Sequence, residues 1–224
     1  MELYFFCTVK IKSVEFHSMK LAAKALRVSQ PTASDLKKIK RRDIYIICDN
    51  VLDTYNIGSI FRLADAVAAK CVYLCGQTEM PPNSRIAKAA VGTDKWVPWQ
   101  YRATAVEAIK DLRGKFSTLR LRSGSNNKFP IRHSRESENQ ILDQVEDDRE
   151  KGIKVVAIEQ SPKSVDFRKA KYELPIAFIV GNETDGVSRE ALALADAIVE
   201  IPMFGVNRSL NVMVSLAIVL YRVV

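Results

Sequence analysis

The chain has 224 residues, 47% of them hydrophobic, with 34 Lys and Arg against 26 Asp and Glu and a formal net charge of +8. These values are typical of one soluble α/β domain with a full core. The excess of positive charge favours a polyanionic partner such as RNA or DNA, or an anionic membrane surface. A soluble basic protein without such a partner has the same charge, so charge alone leaves both interpretations open.

Histidine and cysteine usage argues against a metal site. The only histidines are His17 and His133. Cys71 and Cys75 lack the C-x-x-C spacing of zinc ligands. No run reaches the roughly 20 apolar residues of a membrane span, and the apolar residues 3–9 are too short for a signal peptide. We therefore expect a cytoplasmic protein with reduced cysteines, no metal and no membrane segment.

The first 43 residues are predicted to form an N-terminal helical extension. Residues 1–18 resemble a short strand without a clear partner, and a better organised helix begins at Met19, which is a candidate for the native start. A second short helix spans residues 33–42 and ends in five basic residues: Lys37, Lys38, Lys40, Arg41 and Arg42. This basic cluster is either a solvated helix face or a surface that contacts phosphate.

Residues 44–224 alternate between helices and strands that are apolar along their whole length. The predicted strands lie at 44–48, 71–75, 153–160, 175–183 and 198–202. Such strands are typical of a parallel sheet with helices on both faces, so we predict an α/β fold of that class. Three cysteines fall within these strands, and we expect buried free thiols: Cys48, Cys71 and Cys75.

Residues 115–152 interrupt this alternation. They are polar, mixed in charge and poor in core residues. A segment of this composition buries too little apolar surface to offset the entropy lost on ordering. We therefore predict a disordered surface insertion within the domain.

Three blocks, each with a polar loop, lie at the carboxyl ends of predicted strands. They are D-T-Y-N-I-G-S-I-F-R-L-A-D-A at 53–66, I-V-G-N-E-T-D-G-V-S at 179–188 and I-P-M-F-G-V-N-R-S-L-N-V at 201–212. Neither G-x-G-x-x-G nor G-x-x-x-x-G-K-[ST] occurs, so the common dinucleotide and P-loop fingerprints are absent. Because ligands of open α/β sheets bind at the carboxyl ends of the strands, the three loops predict one shared site.

The final segment, residues 201–221, joins a loop rich in Gly, Asn and Ser to a helix with almost no polar face before Tyr221. A helix that is apolar on all sides is typically buried. We therefore expect the loop to be held against the core, with a ligand or another chain satisfying its backbone groups.

Together and in this order, the three blocks resemble the three motifs of the TrmH (SpoU) family of SPOUT RNA methyltransferases. The resemblance covers residues 44–224 apart from the insertion. It implies a parallel sheet with a C-terminal deep trefoil knot, a homodimer, S-adenosylmethionine (SAM) as methyl donor, and a ribose 2′-hydroxyl of tRNA or rRNA as acceptor. The alternative is a non-catalytic RNA-binding protein on a methyltransferase-like fold.

The family's motif residues fall on definite positions of this sequence. The resemblance implies five catalytic residues: Asn56, Arg62, Glu183, Ser209 and Asn211. It also implies five residues around the cofactor: Gly181, Ile201, Met203, Ser209 and Leu210. Family members usually carry N-V-S where this chain has N-V-M at 211–213.

Several of these residues have structural alternatives. Arg62 is expected to bind the phosphate next to the target ribose and either to accept the hydroxyl proton or to lower the pKa of that hydroxyl. The alternative for Arg62 is a surface ion pair with Asp65. Asn56 is expected to cap the helix that follows it, whether or not it also acts at the site. Ser209 and Asn211 are alternatively caps of the last helix.

Two further assignments stay open. Glu183 either holds Asn211 or Arg62 in place or favours the start of the helix near residue 188 through the helix dipole. An aromatic and basic cluster is suited to base stacking, but packing in the core or at a dimer interface is the favoured interpretation: Trp96, Trp99 and Tyr101 with Lys88 and Lys95.

Overall fold

The computed structural model describes residues 31–123 and 152–224, although not the side chains of 118–123. The chain divides into one unit of Met1–Ile39 and a second of Lys40–Val224, so the division falls slightly before the predicted boundary at residue 43. The predictions for 1–30 and 124–151 lie outside the described residues. These include the helix from Met19 and most of the insertion.

Helix α1 (Ala33–Lys38) lies in the first unit and begins with a capping box. The hydroxyl of Thr32 accepts a hydrogen bond from the backbone N–H of Asp35 at 3.2 Å, and the Asp35 carboxylate accepts one from the N–H of Thr32 at 3.1 Å. This exchange satisfies two N–H groups that a helix start leaves unpaired. The helix is shorter than predicted because Ile39 is already extended.

One sheet of parallel strands forms the centre of the second unit. Its described strands are β1 (Arg42–Asp49), β2 (Ala69–Cys75), β3 (Trp99–Arg102), β4 (Lys154–Ile158), β5 (Val165–Asp166), β6 (Ile176–Val180) and β7 (Ala197–Glu200). Their order is β3-β2-β1-β6-β4-β7-β5, and each neighbouring pair is parallel. The predicted parallel α/β sheet is thus confirmed. The two edge strands were not predicted, because they are short and partly exposed.

Helices cover both faces of this sheet. They are α2 (Thr54–Ala66), α3 (Ser84–Ala90), α4 (Ala105–Ser123), α5 (Arg189–Leu194) and α6 (Val212–Leu220). In β1, Ile44 and Ile46 pack in one core with α2, α3 and α6, whereas Tyr45 and Ile47 pack in a second core with α4 and α5. Successive side chains of a strand point to opposite faces, which explains why the central strands are apolar along their whole length.

Helix α4 corrects one boundary of the predicted insertion. The helix runs to Ser123 rather than ending at residue 115. Ala108, Ile109 and Leu112 on this helix are buried in the second core and anchor its first turns. Residues 115–123 are therefore helical rather than part of an insertion.

Arg41 and Arg42 belong to the fold rather than to a solvated helix face. The guanidinium of Arg41 donates to the carbonyls of Ala69 at 3.0 Å and Trp96 at 2.9 Å. Arg42 donates to the carbonyl of Val223 at 2.7 Å, which ties the start of β1 to the C-terminal segment. Both arginines thus bind carbonyls, and neither alternative for the basic cluster describes them.

The tryptophans of the aromatic cluster pack against the core, as favoured. Trp96 and Trp99 are partly buried against the first core, and the indole N–H of Trp96 donates to Asp65 at 2.8 Å. Tyr101 is exposed on the edge strand β3. Asp65 is therefore a partner of Trp96, not of Arg62.

The predicted buried free thiols are confirmed at Cys48, Cys71 and Cys75. Burial raises the pKa of the Cys71 thiol to about 11 and that of Cys75 to about 12. Burial also raises the pKa of Cys48, which is completely enclosed. None of the helices within 31–123 and 152–224 is long and apolar enough to cross a membrane.

The C-terminal segment is less buried than predicted. Leu216, Val219 and Leu220 of α6 are fully buried, but the opposite side of the helix carries exposed apolar residues. The preceding loop is exposed as well, with Phe204 at 92%. The prediction of a loop buried against the core is wrong, because within 31–123 and 152–224 only one side of α6 is packed against the core.

Candidate functional site

The carboxyl ends of β1, β6, β4 and β7 lie side by side in the sheet, and the loops that follow them enclose a cavity of about 570 Å³. Ile158, Val180 and Val199 contribute apolar groups from the strands. Polar groups come from the second and third predicted loops, from the start of α2, and from the ends of β4 and β7. The predicted convergence of strand-end loops is thus present in the structure.

A line of three side chains joins the three loops. The amide nitrogen of Asn56 donates to Oε1 of Glu183 at 2.9 Å, and its amide oxygen accepts from the amide nitrogen of Asn211 at 2.8 Å. Asn211 in turn caps α6, since its oxygen accepts from the N–H of Met213 at 3.0 Å. We call Glu183, Asn56 and Asn211 the amide relay. It connects residues that lie more than a hundred positions apart in the chain.

Asn56 is not the helix cap that the sequence predicted. Helix α2 begins one turn earlier, at Thr54, and Asp53 is its cap, accepting from the N–H of Tyr55 at 2.8 Å. Asn56 is therefore inside the first turn and buried, at 6% exposure. This position leaves both ends of its amide free to bind the other two loops.

Glu183 is held as an anion by its partners. Its carboxylate accepts from Asn56 and also from the backbone N–H groups of Leu52 at 3.1 Å and Asp53 at 3.2 Å. Burial raises the pKa of Glu183, but these hydrogen bonds outweigh burial and the net pKa lies below its ordinary value. One predicted role of Glu183 is to hold Asn211 or Arg62 in place. In the structure it holds Asn211, indirectly through Asn56.

The loop after β6 is a tight turn that only glycine permits at two positions. Asn182 and Gly186 exchange two backbone hydrogen bonds of 3.0 Å. A Cβ on Gly181 would lie 2.1 Å from the backbone of Gly186, and Gly186 itself has a φ of +71°. The backbone at Gly181 therefore passes close to the backbone at Gly186, and both glycines line the cavity.

Two carboxylates that the sequence analysis did not single out hold this turn in place. Asp49, at the end of β1 and 2% exposed, accepts from the N–H of Ser188 at 2.9 Å. Glu159, just after β4, accepts from the N–H of Val187 at 2.9 Å and lines the cavity. Asp49 ends one buried strand and Glu159 directly follows another, and that position at the carboxyl edge is the signal that identifies them.

The third loop forms the outer wall of the cavity. All of its predicted cofactor residues line the cavity: Ile201, Met203, Ser209 and Leu210. Gln160 donates from its side chain to the carbonyl of Arg208, which ties this wall to the end of β4. The hydroxyl and the N–H of Ser209 both bind the side chain of Asn207. Gly181 also lines the cavity, as predicted.

Arg62 stands apart from the other predicted site residues. It is exposed on α2 and does not line the cavity. Its side chain has no hydrogen bond or ion pair with any residue in 31–123 or 152–224, so the alternative pair with Asp65 does not form. On an α-helix, Asn56 and Arg62 point about 120° apart, so the helix that buries Asn56 in the relay directs Arg62 outward.

The charges that line the cavity are mostly negative. Its ionisable side chains are Asp53, Glu159, Glu183, Glu200 and Arg208. Glu200 accepts from the hydroxyl of Ser164 at 2.7 Å. In the described part of the chain, no salt bridge neutralises any of these carboxylates, and no group of three or more His, Cys, Asp or Glu is arranged to hold a metal ion.

Comparisons with known proteins agree with this geometry. The sequence is 29% identical over 186 residues to the tRNA (guanosine(18)-2′-O)-methyltransferase of Escherichia coli (strain K12), covering 82% of this chain. The same match covers 63% of the E. coli protein, so the chain spans less than two thirds of the length of that relative.

Solved structures have the same fold. The TrmH/SpoU tRNA modifying enzyme of A. aeolicus has a TM-score of 0.60 at 26% identity, covering 89% of this chain and 79% of that one. The AdoMet-bound rRNA methyltransferase from Sinorhizobium meliloti has a TM-score of 0.56 at 26% identity, covering 88% and 58%. The family described as SpoU rRNA Methylase matches residues 43–142 and 118–221. The chain therefore belongs to the SpoU rRNA methylase family.

Proposed function

We propose that this protein is a SAM-dependent RNA methyltransferase that transfers a methyl group to a ribose 2′-hydroxyl of tRNA or rRNA. The observation that carries the proposal is the amide relay, which joins the three family loops around one cavity. The names of the E. coli and S. meliloti relatives support the reaction class and the donor. A cytoplasmic location is proposed with it, in agreement with three buried free thiols.

The residues around the cavity suit a nucleoside-sized donor. A volume of about 570 Å³ lies within the usual range for small-molecule sites. Apolar side chains form the floor, and the close turn at Gly181 brings backbone amides and carbonyls to the wall. We propose that Gly181, Ile201, Met203, Ser209 and Leu210 hold the donor. SAM supplies a methyl group that its sulfonium charge has already activated.

The chain's own residues then have to align the acceptor and assist its proton. The amide relay fixes the positions of the three loops, and Ser209 binds Asn207 within the third loop. Arg62 is free to bind the phosphate next to the target ribose bidentately, because it has no intramolecular partner among the described residues. In our proposal its charge lowers the pKa of the hydroxyl, and the proton leaves to phosphate or water, since Arg itself stays protonated.

A homodimer would bring Arg62 to a cavity that it does not line in its own chain. On α2, Tyr55 is exposed two turns before Arg62 on the same face. The neighbouring helix α6 exposes Val214 and Ile218, and Tyr221 follows them. We propose that a second copy covers this apolar surface and that each Arg62 serves the cavity of the other copy. From the family fold we also propose that the C-terminal segment forms a deep trefoil knot.

The decisive experiment compares Arg62→Ala with the wild type on transcribed tRNA and rRNA. We expect Arg62→Ala to abolish methyl transfer while SAM binding, measured by calorimetry, is kept. Arg85→Ala, an exposed arginine on α3, is the control and should remain active. Wild-type transfer by Arg62→Ala would overturn its assignment. Salt-dependent RNA binding without SAM binding would instead identify a non-catalytic RNA-binding protein.

A mixing experiment tests the role of the second copy. Gly181→Ala is expected to close the cavity but to leave Arg62 intact. Mixed with Arg62→Ala, it should restore about one quarter of the wild-type rate, because half of the dimers are mixed and each of those has one complete site. A mixture as inactive as its components would place Arg62 and its cavity in the same chain. Val214→Asp should yield monomers by ultracentrifugation, whereas Val165→Asp, on the edge strand β5, should not.

The RNA that is modified is the remaining part of the proposal. We propose a preference for tRNA, because the E. coli relative is named for a tRNA guanosine. Mapping of 2′-O-methyl groups in cellular RNA, with and without the gene, identifies the nucleotide. Loss of a methyl group from rRNA but not from tRNA would reverse this preference.

A further inference from the structure

The cavity carries a negative charge for which the family motifs do not account. Glu159 and Glu200 lie just after β4 and at the end of β7, they are half-buried, and both line the cavity. With Asp53 and Glu183 they outnumber the one basic residue, Arg208, among the described residues that line the cavity. The chain as a whole has a net charge of +8, so this concentration of carboxylates opposes the general trend of the protein.

Hydrogen bonds orient these two carboxylates without cancelling their charge. Glu159 accepts from the backbone N–H groups of Gln160 at 2.8 Å and Val187 at 2.9 Å. Glu200 accepts from the hydroxyl of Ser164 at 2.7 Å. These donors are neutral, and neither carboxylate has an ion pair within the described residues. Each therefore contributes a full negative charge to the cavity, where partial burial reduces the screening by water and salt.

The proposed reaction changes the charge of the ligand in this cavity. The donor carries a sulfonium cation, and transfer of the methyl group leaves a neutral thioether, while the amino and carboxyl groups of the ligand are unchanged. The methyl carbon forms a bond to the ribose oxygen as its bond to sulfur breaks, and that electron pair stays on sulfur. Donor and product thus differ in the cavity by one positive charge and one methyl group.

We propose that Glu159 and Glu200 make the cavity select the cationic donor over its neutral product. This inference rests on the proposed function, because it requires SAM to bind here. The selection is electrostatic and requires no direct contact with the sulfonium. It favours exchange of spent product for fresh donor, and it assigns a role in specificity to two residues outside the three family motifs.

The expected size follows from the dimensions of the cavity. A sphere of 570 Å³ is roughly 10 Å across, and one charge pair at that distance changes affinity about 2- to 15-fold for effective dielectric constants between about 80 and 20. Removing one carboxylate should reduce the preference for the donor by this factor. Because the interaction is electrostatic, the change should shrink as salt is raised.

The test measures calorimetric dissociation constants of Glu159→Gln and Glu200→Gln for three ligands. SAM is cationic at sulfur, S-adenosylhomocysteine is neutral there, and sinefungin carries a protonated amine in place of the sulfonium. We expect each variant to bind SAM and sinefungin about 2- to 15-fold more weakly and to bind S-adenosylhomocysteine unchanged. Glu190→Gln, an exposed carboxylate on α5 that does not line the cavity, is the control and should bind all three as the wild type does.

Each other outcome has a definite meaning. Equal weakening for all three ligands would overturn the proposal and assign Glu159 only to holding the N–H of Val187. No weakening in either variant would overturn it as well. If wild-type protein bound none of the three ligands, the proposed function itself would fail, and that result is distinct from a loss of selectivity.

Discussion

Replacing Asn56 by alanine removes the centre of the amide relay. The variant loses a hydrogen bond of 2.9 Å to the Glu183 carboxylate and one of 2.8 Å from Asn211. A hydrogen bond to a charged group contributes about 1.5–3 kcal/mol and a neutral one about 1 kcal/mol. Glu183 is exposed and keeps two backbone donors, so we expect the lower end, a loss of about 2.5 kcal/mol in the free energy of unfolding.

Asn56→Asp isolates the electrostatic part of this effect. The substitution keeps an acceptor for Asn211 but places a carboxylate where the amide donated to Glu183. At neutral pH we expect it to be less stable than Asn56→Ala, because two carboxylates then face each other at hydrogen-bond distance.

The pH dependence of the two proteins should differ in sign. In the wild type the folded pKa of Glu183 lies below its ordinary value of 4.5, so its contribution is present above that pH and is lost as pH falls through the folded pKa. In Asn56→Asp, protonation of either carboxylate relieves repulsion. The deficit of this variant relative to the wild type should therefore shrink as pH falls from neutral toward 4.5.

Chemical denaturation at neutral pH and near the ordinary Glu183 pKa of 4.5 measures both the loss of stability in Asn56→Ala and the pH-dependent deficit of Asn56→Asp. Asn207→Ala is a matched control, since Asn207 is exposed and its side chain binds Ser209 alone among the described residues. It should change stability by less than about 0.5 kcal/mol. An Asn56→Ala protein as stable as this control would refute the relay as a stabilising link. A deficit of Asn56→Asp that is the same at both pH values would refute its electrostatic origin.

Three further predictions concern the turn, the core and the thiols. Gly181→Ala should lose about 1–3 kcal/mol in the free energy of unfolding and should no longer bind its ligand, because the new Cβ meets the backbone of Gly186 at 2.1 Å. A Cβ at Gly205 has no atom within 4 Å, so Gly205→Ala is the control and should match the wild type in calorimetry. Phe61→Ala should lose about 3–5 kcal/mol in the free energy of unfolding, measured by chemical denaturation, because Phe61 is fully buried. Phe204 is 92% exposed, so Phe204→Ala should lose almost none. Iodoacetamide at mildly alkaline pH should leave the buried thiols of Cys48, Cys71 and Cys75 unmodified in the folded protein, because their raised pKa values suppress the reactive thiolate. Peptide mass spectrometry measures the modification, and rapid labelling would contradict the burial of these thiols.

The strand pattern and the motif spacing were readable in the sequence alone. A strand such as Ile44–Cys48 is apolar at every position, so both of its faces must be buried between layers of helices. Strands of this kind therefore predict a parallel sheet that is covered on both faces. The carboxyl ends of such strands share one edge, and this topological rule alone brings the loops at residues 53, 181 and 201 together. Local chemistry therefore determined the architecture and the approximate place of the site.

Tertiary structure alone decided how individual side chains are used. Asn56 is a plausible helix cap by its local sequence, but Asp53 takes that role and leaves the Asn56 amide to Glu183 and Asn211, which lie far away in the chain. Arg41 belongs to an exposed basic run by composition, yet it binds carbonyls that only the folded chain brings near. Hydrogen bonds between residues that lie far apart in the chain produce no periodic pattern in the sequence.

The C-terminal helix illustrates the same limit. Its composition predicts burial on all sides, but composition does not state which chain provides the burial. In the part of the chain that the structure describes, only the side with Leu216, Val219 and Leu220 is fully covered. Burial, and with it the direction in which Arg62 points, depends on the positions of neighbouring elements in three dimensions. The sequence thus determined which groups must find partners, and the packing of distant segments decided which partners they have.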